Sequence, residues 1–534
     1  MLEELNKIPH VEGAGYDSIR SNAASRCFEG TRTAILENIR AWLNQPISDT
    51  TAQIYWVNGL AGIGKSTLAR TVAEDARHPG PLGASFFFSR QDNELSDATR
   101  FIPTIAYQLA LSFPEVRPVI SEIFLRNPGV VKMSFITQFN DLIIGPLLKM
   151  NHQKRVLLVV DALDECGNSD DAASTLFHAI VARCAEVPFL RILMTSRPEM
   201  YIKRILTSDA TTGIVLHEDI NQSVVSEDIR GYLREEMSNV PKRRGVEPSL
   251  PWPSEADLEV LVSKAGRLFI WAATAIRFIR DCEEGDRDFR LKVLLGTHVG
   301  PGVDTEQPYG QLDDLYLAIL SRAATGLRKE LIERMQILVG TIVRLRSEMP
   351  LDVIGQFLEM GPVATTLGRI QSIIPIPRDT SRPIQIYHLS FPDFITSRER
   401  CRDSRFYVDI PSHEMRLALR CLDILNSGLS EDVDKLLKPT EETSVLSKEA
   451  VLRTIPLEVQ YACRFWAVHV TFQPVSRTTG DELMTKLDIF SSKMLLRWVV
   501  AMCTLGAISD AITATRTMQQ WIVSLSMHHP YDTC

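Results

Sequence analysis

Residues 54–67 read IYWVNGLAGIGKST, an apolar run that breaks into a glycine-rich turn and ends on Lys65, Ser66 and Thr67. Gly59 and Gly64 stand at the spacing G-x-x-x-x-G-K-[ST], the P-loop pattern in which a tight turn lays backbone N–H groups around a phosphate. Lys65 supplies a point charge, and the Ser66 hydroxyl is suited to Mg²⁺. The run before the turn is strand-like. The stretch after it, TLARTVAEDA, is helical, so a helix N-terminus adds partial positive charge at the same spot. A glycine-rich turn without a ligand is the plain alternative, and the flanking strand and helix argue against it.

Working outward, apolar β-branched runs alternate with amphipathic helices as far as about residue 220, which is the βαβ rhythm of an α/β domain. The expected strands are 54–57, 84–88, 155–160, 191–195 and 213–216. Runs apolar on both faces predict a parallel sheet covered by helices. A further strand intervenes between the P-loop strand and the acidic one. Beyond residue 221 the chain reads as mostly helical, with a Pro-rich break at PSLPWPS (248–254) and a Gly- and Pro-containing connection at 296–310. PIQIYHLSF alternates like a strand beside the helical TTLGRIQSII, the pattern of a small winged-helix unit. The predicted organisation is an N-terminal tail (1–25), a P-loop domain (26–220), a helical domain (221–295), a linker (296–310), a winged-helix-like domain (311–410) and a C-terminal helical region (411–534). Internal repeats at solenoid or propeller periods are absent.

The 534 residues carry a net charge of −8 with acids and bases interspersed, which argues against a nucleic-acid-binding surface. The compact basic cluster Lys242-Arg243-Arg244 has no interleaved aromatics and reads as a solvated loop. Nine scattered cysteines with no C-x-x-C pair indicate neither a zinc site nor a disulfide framework, and a reducing, cytoplasmic setting fits best. No apolar span approaches twenty residues, so no membrane partner is expected. WVVAMCTLGAI, from Trp498, reads as the buried face of a helix.

A P-loop needs a Mg²⁺-binding acid at the end of a neighbouring buried strand, and RVLLVVDALDEC supplies Asp161. Asp164 and Glu165 follow closely enough for one to polarise an attacking water; the alternative is that they open the next helix at its positive end. Cys166 reads as a packed thiol. The strand ending in MTSRPE would project Thr195, Ser196 and Arg197 from the same sheet edge. Arg197 either senses a γ-phosphate or finds a carboxylate partner. Gly30 and Thr31, in RCFEGTR, are placed to offer backbone groups to a base.

GLAGIGKST, VVDALDEC and MTSRPE together resemble the NACHT branch of the signal-transducing P-loop ATPases (STAND class), in particular the mushroom-type fungal set related to NOD-like receptors. In that family a small residue and then an acidic pair follow the magnesium aspartate, as Ala162, Asp164 and Glu165 follow Asp161 here. CFEGTR, LGASFFFSR, FIPTIAYQLA, LFIWAATAIRFI, LDDLYLAIL and HLSFPDF extend the likeness over roughly residues 26–500. The resemblance implies an α/β P-loop NTPase fold (parallel five-stranded sheet, ASCE type) followed by helical, winged-helix-like and C-terminal helical parts. It implies phosphate binding by Gly59, Gly62, Ile63, Gly64, Lys65, Ser66 and Thr67, with Ser66 and Asp161 on Mg²⁺. Asp164 or Glu165 would assist hydrolysis, and Arg197 would be the sensor arginine. YHLSFPDF matches the family string whose histidine touches the β-phosphate of ADP, which implicates His388; a lone histidine packed in a core is the plain alternative. AGRLFIWA departs from the family's Gly-x-Pro motif, having Gly266 without the proline.

The implied function is an ATP-binding switch in innate immunity or self/non-self recognition. A closed ADP form would exchange to ATP, self-associate into a homo-oligomer and reset by slow hydrolysis. The competing reading is a protein-interaction scaffold whose nucleotide is never turned over. Small-molecule kinase chemistry is disfavoured, since no lid with several arginines is evident. The residues before 26 are too few for a folded effector domain.

Overall fold

The computed structural model describes residues 5, 8–18, 26–48, 51–77, 79–150, 154–167, 170–206, 208, 211–220, 222–242, 252–280, 286–296, 309–361, 363–377, 379–429, 455–472 and 477–527. Arg243 and Arg244, most of PSLPWPS and nearly all of the expected linker lie outside them. The chain divides into two compact units, one of Met1–Ile319 with Ile386–Phe391, the other of Leu320–Gln385 with Pro392–Cys534.

The first unit is built on five parallel strands: β1 (Ile54–Asn58), β2 (Leu82–Phe87), β3 (Val156–Asp161), β4 (Leu190–Ser196) and β5 (Val215–Asp219), in the order β2-β3-β4-β1-β5. Every residue of β1, β3 and β4 is buried, as a sheet with helices on both faces requires. The expected strands are all present. The last begins two residues later than expected, because pairing with β1 in the register Ile54↔Val215 to Asn58↔Asp219 draws the polar His217, Glu218 and Asp219 into the ladder. As an edge strand it is half exposed, which accommodates those side chains.

The helices that bear on the site are α1 (Thr33–Asn44), α2 (Lys65–Asp75), α3 (Ala98–Ser112), α4 (Asp170–Cys184), α5 (Gln222–Lys242), α6 (Glu255–Ala265), α7 (Phe269–Arg280) and α8 (Gly310–Ala324), the last belonging to the first unit as far as Ile319. Gly266 ends α6 in the left-handed conformation, its N–H donating to Ser263 O at 3.2 Å, so its place in AGRLFIWA is that of a helix terminator. The stretch expected as an N-terminal tail is instead packed. Leu5, Ile8, Val11 and Ala14 are buried with the aromatic side of the sheet, and Phe87 N–H at the outer edge of β2 donates to Ala14 O at 2.9 Å.

In the second unit the regular elements among the described residues are helices, including α9 (Lys329–Arg344), α10 (Ile410–Gly428) and α11 (Leu457–Thr471). The alternation PIQIYHLSF forms no strand; it makes one antiparallel bridge, Pro350↔Pro383. Both bridging residues lack an N–H, so the ladder cannot propagate, and the alternation buries Ile384 in this unit and Ile386 in the first. WVVAMCTLGAI spans the end of the helix Leu495–Thr504, a turn at Gly506 (φ 66) and the approach to the helix Ile508–Met527, with Trp498, Ala501 and Met502 buried. No described helix is long and apolar enough to cross a membrane.

Glu414 on α10, with its side chain 1% exposed, joins three elements. It pairs with Arg344 at the end of α9, with Arg346 at 3.0 Å and with His469 Nδ1 of α11 at 2.6 Å, and His469 Nε2 meets Tyr461 Oη at 2.9 Å. Burial works to raise the Glu414 pKa, but the His469 hydrogen bond and the two arginines hold it down at about 2. Removing one partner of such a buried network strands the others, so Glu414→Ala is expected to cost about 3 kcal/mol, measured as a lowered urea midpoint, with Glu414→Gln costing less.

Candidate functional site

β1 delivers the chain to the carboxyl edge of the sheet at Asn58, and the loop Gly59–Gly64 turns it into α2. The turn needs left-handed backbone at Gly62 (φ +81) and Gly64 (φ +102). A Cβ at Gly62 would also lie 2.3 Å from Ile270 Cγ2, so α7 approaches the loop only because that residue is glycine. Ile270 N–H, at the start of α7, donates to Gly62 O at 3.1 Å. Lys65 folds back across the loop, donating from Nζ to Gly59 O at 2.7 Å and Leu60 O at 3.0 Å. Burial lowers its pKa to about 8, opposed chiefly by Asp164 and Asp161. Thr67 gives its carbonyl to Thr71 Oγ1 at 2.8 Å inside α2.

β4 lies between β1 and β3, so the acids reach the loop across the end of β4. Thr195 there donates its hydroxyl to Asp161 Oδ1 and accepts from Ala162 N–H at 3.1 Å. Ser66 also hydrogen-bonds Asp161, whose pKa is raised by burial against those two bonds and the Lys65 charge. Ala162 takes a left-handed turn (φ 54), after which Leu163–Glu165 form a short 3-10 turn. Asp164 and Glu165 therefore do not open the following helix, which starts at Asp170.

Asp164 is claimed by Arg197: the backbone N–H donates to Oδ1 at 2.9 Å and Nε lies 3.2 Å from Oδ2. Arg90 adds an Nη2 bond to Asp164 O at 2.8 Å and its N–H to Glu165 Oε2 at 3.1 Å. Arg197 thus has the carboxylate partner that its part-buried position demands. Glu165, 5% exposed, is pushed up to about 8 by burial and then by the Asp164 charge. Cys166 is a buried thiol pushed up to about 12 by burial, consistent with packing rather than nucleophilic chemistry.

His388 comes to the loop from far along the chain. Its Cε1 lies 3.5 Å from the position a Gly62 Cβ would occupy. Ser390 N–H donates to His388 Nδ1 at 3.0 Å, and Ser390 Oγ lies 2.8 Å from the same nitrogen. An Nδ1 that accepts leaves the ring proton on Nε2 in the neutral imidazole. Tyr316 Oη of α8 in turn meets Ser390 Oγ at 2.9 Å. Burial, then the charges of Arg197, Lys65 and Arg277, hold the imidazole down at about 3.

Gly30 takes left-handed backbone (φ +79), and Thr31 turns both its N–H (3.0 Å) and its hydroxyl (2.7 Å) to Phe28 O. Arg32, the residue that follows them, is the one that reaches the site, and nothing but the last letter of CFEGTR pointed to it. It is 5% exposed, donates to Ile63 O of the loop, takes its own N–H to Asp228 Oδ2 of α5 at 3.1 Å and lies 4.9 Å from the Phe269 ring centre. Phe28 and Tyr232 meet edge to face at 5.1 Å beside it. Arg90 and Tyr309 were likewise not singled out by sequence; Tyr309 Oη accepts Ala61 N–H of the loop at 3.1 Å.

The arrangement fits a phosphate with a divalent cation. The loop carries a buried ammonium within the field of Asp161, and Ser66 with Asp161 offers a hydroxyl and carboxylate pair of the kind Mg²⁺ takes.

A family model described as nephrocystin 3, N-terminal, matches residues 30–197. The chain is 22% identical over 497 residues to the vegetative incompatibility protein HET-E-1 of Podospora anserina, a match covering 88% of this chain and 34% of that protein. The chain therefore spans about a third of that relative's length. Among solved structures, a Walker-type ATPase of Pyrococcus abyssi aligns with 69% of this chain and 97% of its own at 12% identity and a TM-score of 0.32. The phosphate loop, the displaced acidic pair and these two sequence matches together support the likeness to the NACHT-type P-loop NTPases.

Proposed function

We propose that this protein is a nucleotide-operated signalling switch. It holds ADP in a closed form, exchanges it for ATP, self-associates in the ATP state and resets by slow hydrolysis. Ser66 and Asp161 would hold Mg²⁺, whose charge would offset the phosphates and the crowded acids. Likeness to a vegetative incompatibility protein supports a role in self/non-self recognition. The observation that carries the reading is His388: a neutral imidazole set against Gly62 and within the fields of Lys65 and Arg197. A ligand shifts an equilibrium only through differential contact with the two states, and His388 is placed to supply such contact to a bound phosphate.

A second reading has a specific observation in its favour, namely a scaffold whose nucleotide is never hydrolysed. Asp164 is held by Arg197, and Glu165 with a pKa of about 8 is mainly protonated at neutral pH, so neither acid is set to take a proton from water.

His388→Ala is expected to speed ADP release roughly ten- to a hundredfold, the worth of one hydrogen bond to a charged group, and to raise the mass seen by light scattering. An unchanged off-rate with unchanged mass removes the histidine from the switch. For the acids, the switch reading expects Glu165→Gln or Asp164→Asn to lower single-turnover phosphate release by roughly a hundredfold. Wild-type release no faster than background would instead establish the scaffold. Glu165 also predicts a pH signature in the nucleotide-free protein. Between about 4.5 and 8 the folded state keeps a proton that the unfolded state has lost, so this group makes stability fall as pH rises through that window. Glu165→Gln should flatten the decline, read as the wild-type minus variant difference in denaturation midpoint.

A further inference from the structure

We propose that Arg277 and Tyr387 form a positioning pair that sets His388 against the phosphate loop and so governs how long a diphosphate is retained; this rests on the switch reading above. The chain belongs to the first unit as far as Ile319 and returns to it only for Ile386–Phe391, the residues on either side being part of the second unit. His388 therefore reaches the loop on a short excursion, and whatever fastens that excursion fastens the histidine. It is fastened at both ends. After His388, Ser390 Oγ lies 2.9 Å from Tyr316 Oη, and Phe391 meets the Tyr316 ring edge to face at 5.3 Å, both contacts being to α8. Before His388, the Tyr387 ring is covered by the Arg277 guanidinium of α7, whose carbon stands 4.0 Å from the ring centre.

The contact to α7 ties the histidine segment to the loop itself. Ile270, Thr274 and Arg277 share one face of that helix by their spacing. Ile270 lies against Gly62 and donates its N–H to Gly62 O at 3.1 Å, Arg277 Nη2 donates to Thr274 Oγ1 at 3.0 Å, and Arg277 covers Tyr387. A stiff rod of about 10 Å of helix axis thus runs from the loop backbone to the residue next to His388. The use of a ring to receive this cation also suits the site. Arg197, Lys65 and Arg277 all bear on His388, and all are positive. A carboxylate set against Arg277 would draw a proton onto the imidazole and repel a phosphate, whereas an aromatic face attracts the guanidinium and carries no net charge.

The test is the rate at which a fluorescent ADP analogue leaves the purified protein during a chase with unlabelled ADP. Tyr387→Leu is expected to speed release about three- to tenfold, the range of one cation–π contact, and Tyr387→Phe, which keeps the ring face, to recover slow release. Joined to His388→Ala, Tyr387→Leu should add nothing, because its effect is exerted through the histidine. Arg277→Met leaves the histidine segment untouched and so keeps the test open where the leucine variant does not fold. It too should speed release about three- to tenfold and add nothing to either His388→Ala or Tyr387→Leu. A wild-type rate in both single variants overturns the proposal. So does a double variant that exceeds His388→Ala by the full single-variant factor, since a pair that merely supports the fold acts whether or not the histidine is present. An Arg277→Met effect that persists in full beside Tyr387→Leu overturns it as well, by showing the charge to act on the nucleotide without the ring. If wild type does not bind the analogue, or His388→Ala leaves release unchanged, the switch reading fails and the proposal falls with it; that outcome is distinct, as it appears before either residue of the pair is altered.

Discussion

A lysine ammonium buried at the carboxyl edge of a sheet has to find oxygen atoms, and most of the site can be understood as the set of groups that meet this demand. Lys65 takes the carbonyls of Gly59 and Leu60, the loop's own backbone. Behind it stand Asp164 and Asp161, whose charges partly offset the desolvation of the cation, and beside them Glu165. The acids repel one another, and the protein relieves this by assigning each a different partner. Asp161 is given two hydroxyls, Asp164 two arginines, and Glu165 a backbone N–H and a proton. Each assignment thus sits within the field of the others, so the cluster is electrostatically coupled to Lys65.

The groups that hold the loop from outside reach its backbone directly. Gly62 allows the first turn of α7 to sit on the loop itself, and Ile270 N–H uses the Gly62 carbonyl as its missing helical partner. Arg32 fastens the preceding segment to the Ile63 carbonyl while pairing with Asp228 of α5. The loop is thereby gripped from outside through three carbonyls or amides rather than through side chains. A change in its backbone dihedrals is then a change in where the helices around it can rest.

The parts of this picture that were legible in sequence are those encoded in short range. The P-loop spacing, the buried strands and the acids after β3 each announce themselves within a dozen residues, because strand burial and phosphate cradling are local requirements. The strand at 213–216 slipped by two residues because its register is fixed by β1 and not by its own hydrophobicity. PIQIYHLSF misled for the opposite reason: alternation was present, but two prolines at the only bridge removed the donors a strand needs. Arg32, Arg90 and Tyr309 escaped notice because each acts on a backbone group of a distant segment, and a backbone acceptor leaves no letter in the sequence. His388 was reachable only through family likeness, since its proximity to Gly62 depends on the whole course of the chain between them.

The docked segment at the start of the chain has a consequence of a different kind. At the outer edge of β2, Gln108 and Ser112 of α3 take the Ser85 N–H and carbonyl and the Gly83 carbonyl, and the Phe87 N–H is left to the docked segment. Ala14 O takes the Phe87 N–H, and Tyr16 N–H goes to Ser85 Oγ at 3.0 Å, so helix side chains and irregular chain together close the edge without forming a ladder. The few residues involved contribute little to nucleotide chemistry. Their value is colloidal: with the Phe87 amide taken, this edge offers no backbone row to a second polypeptide.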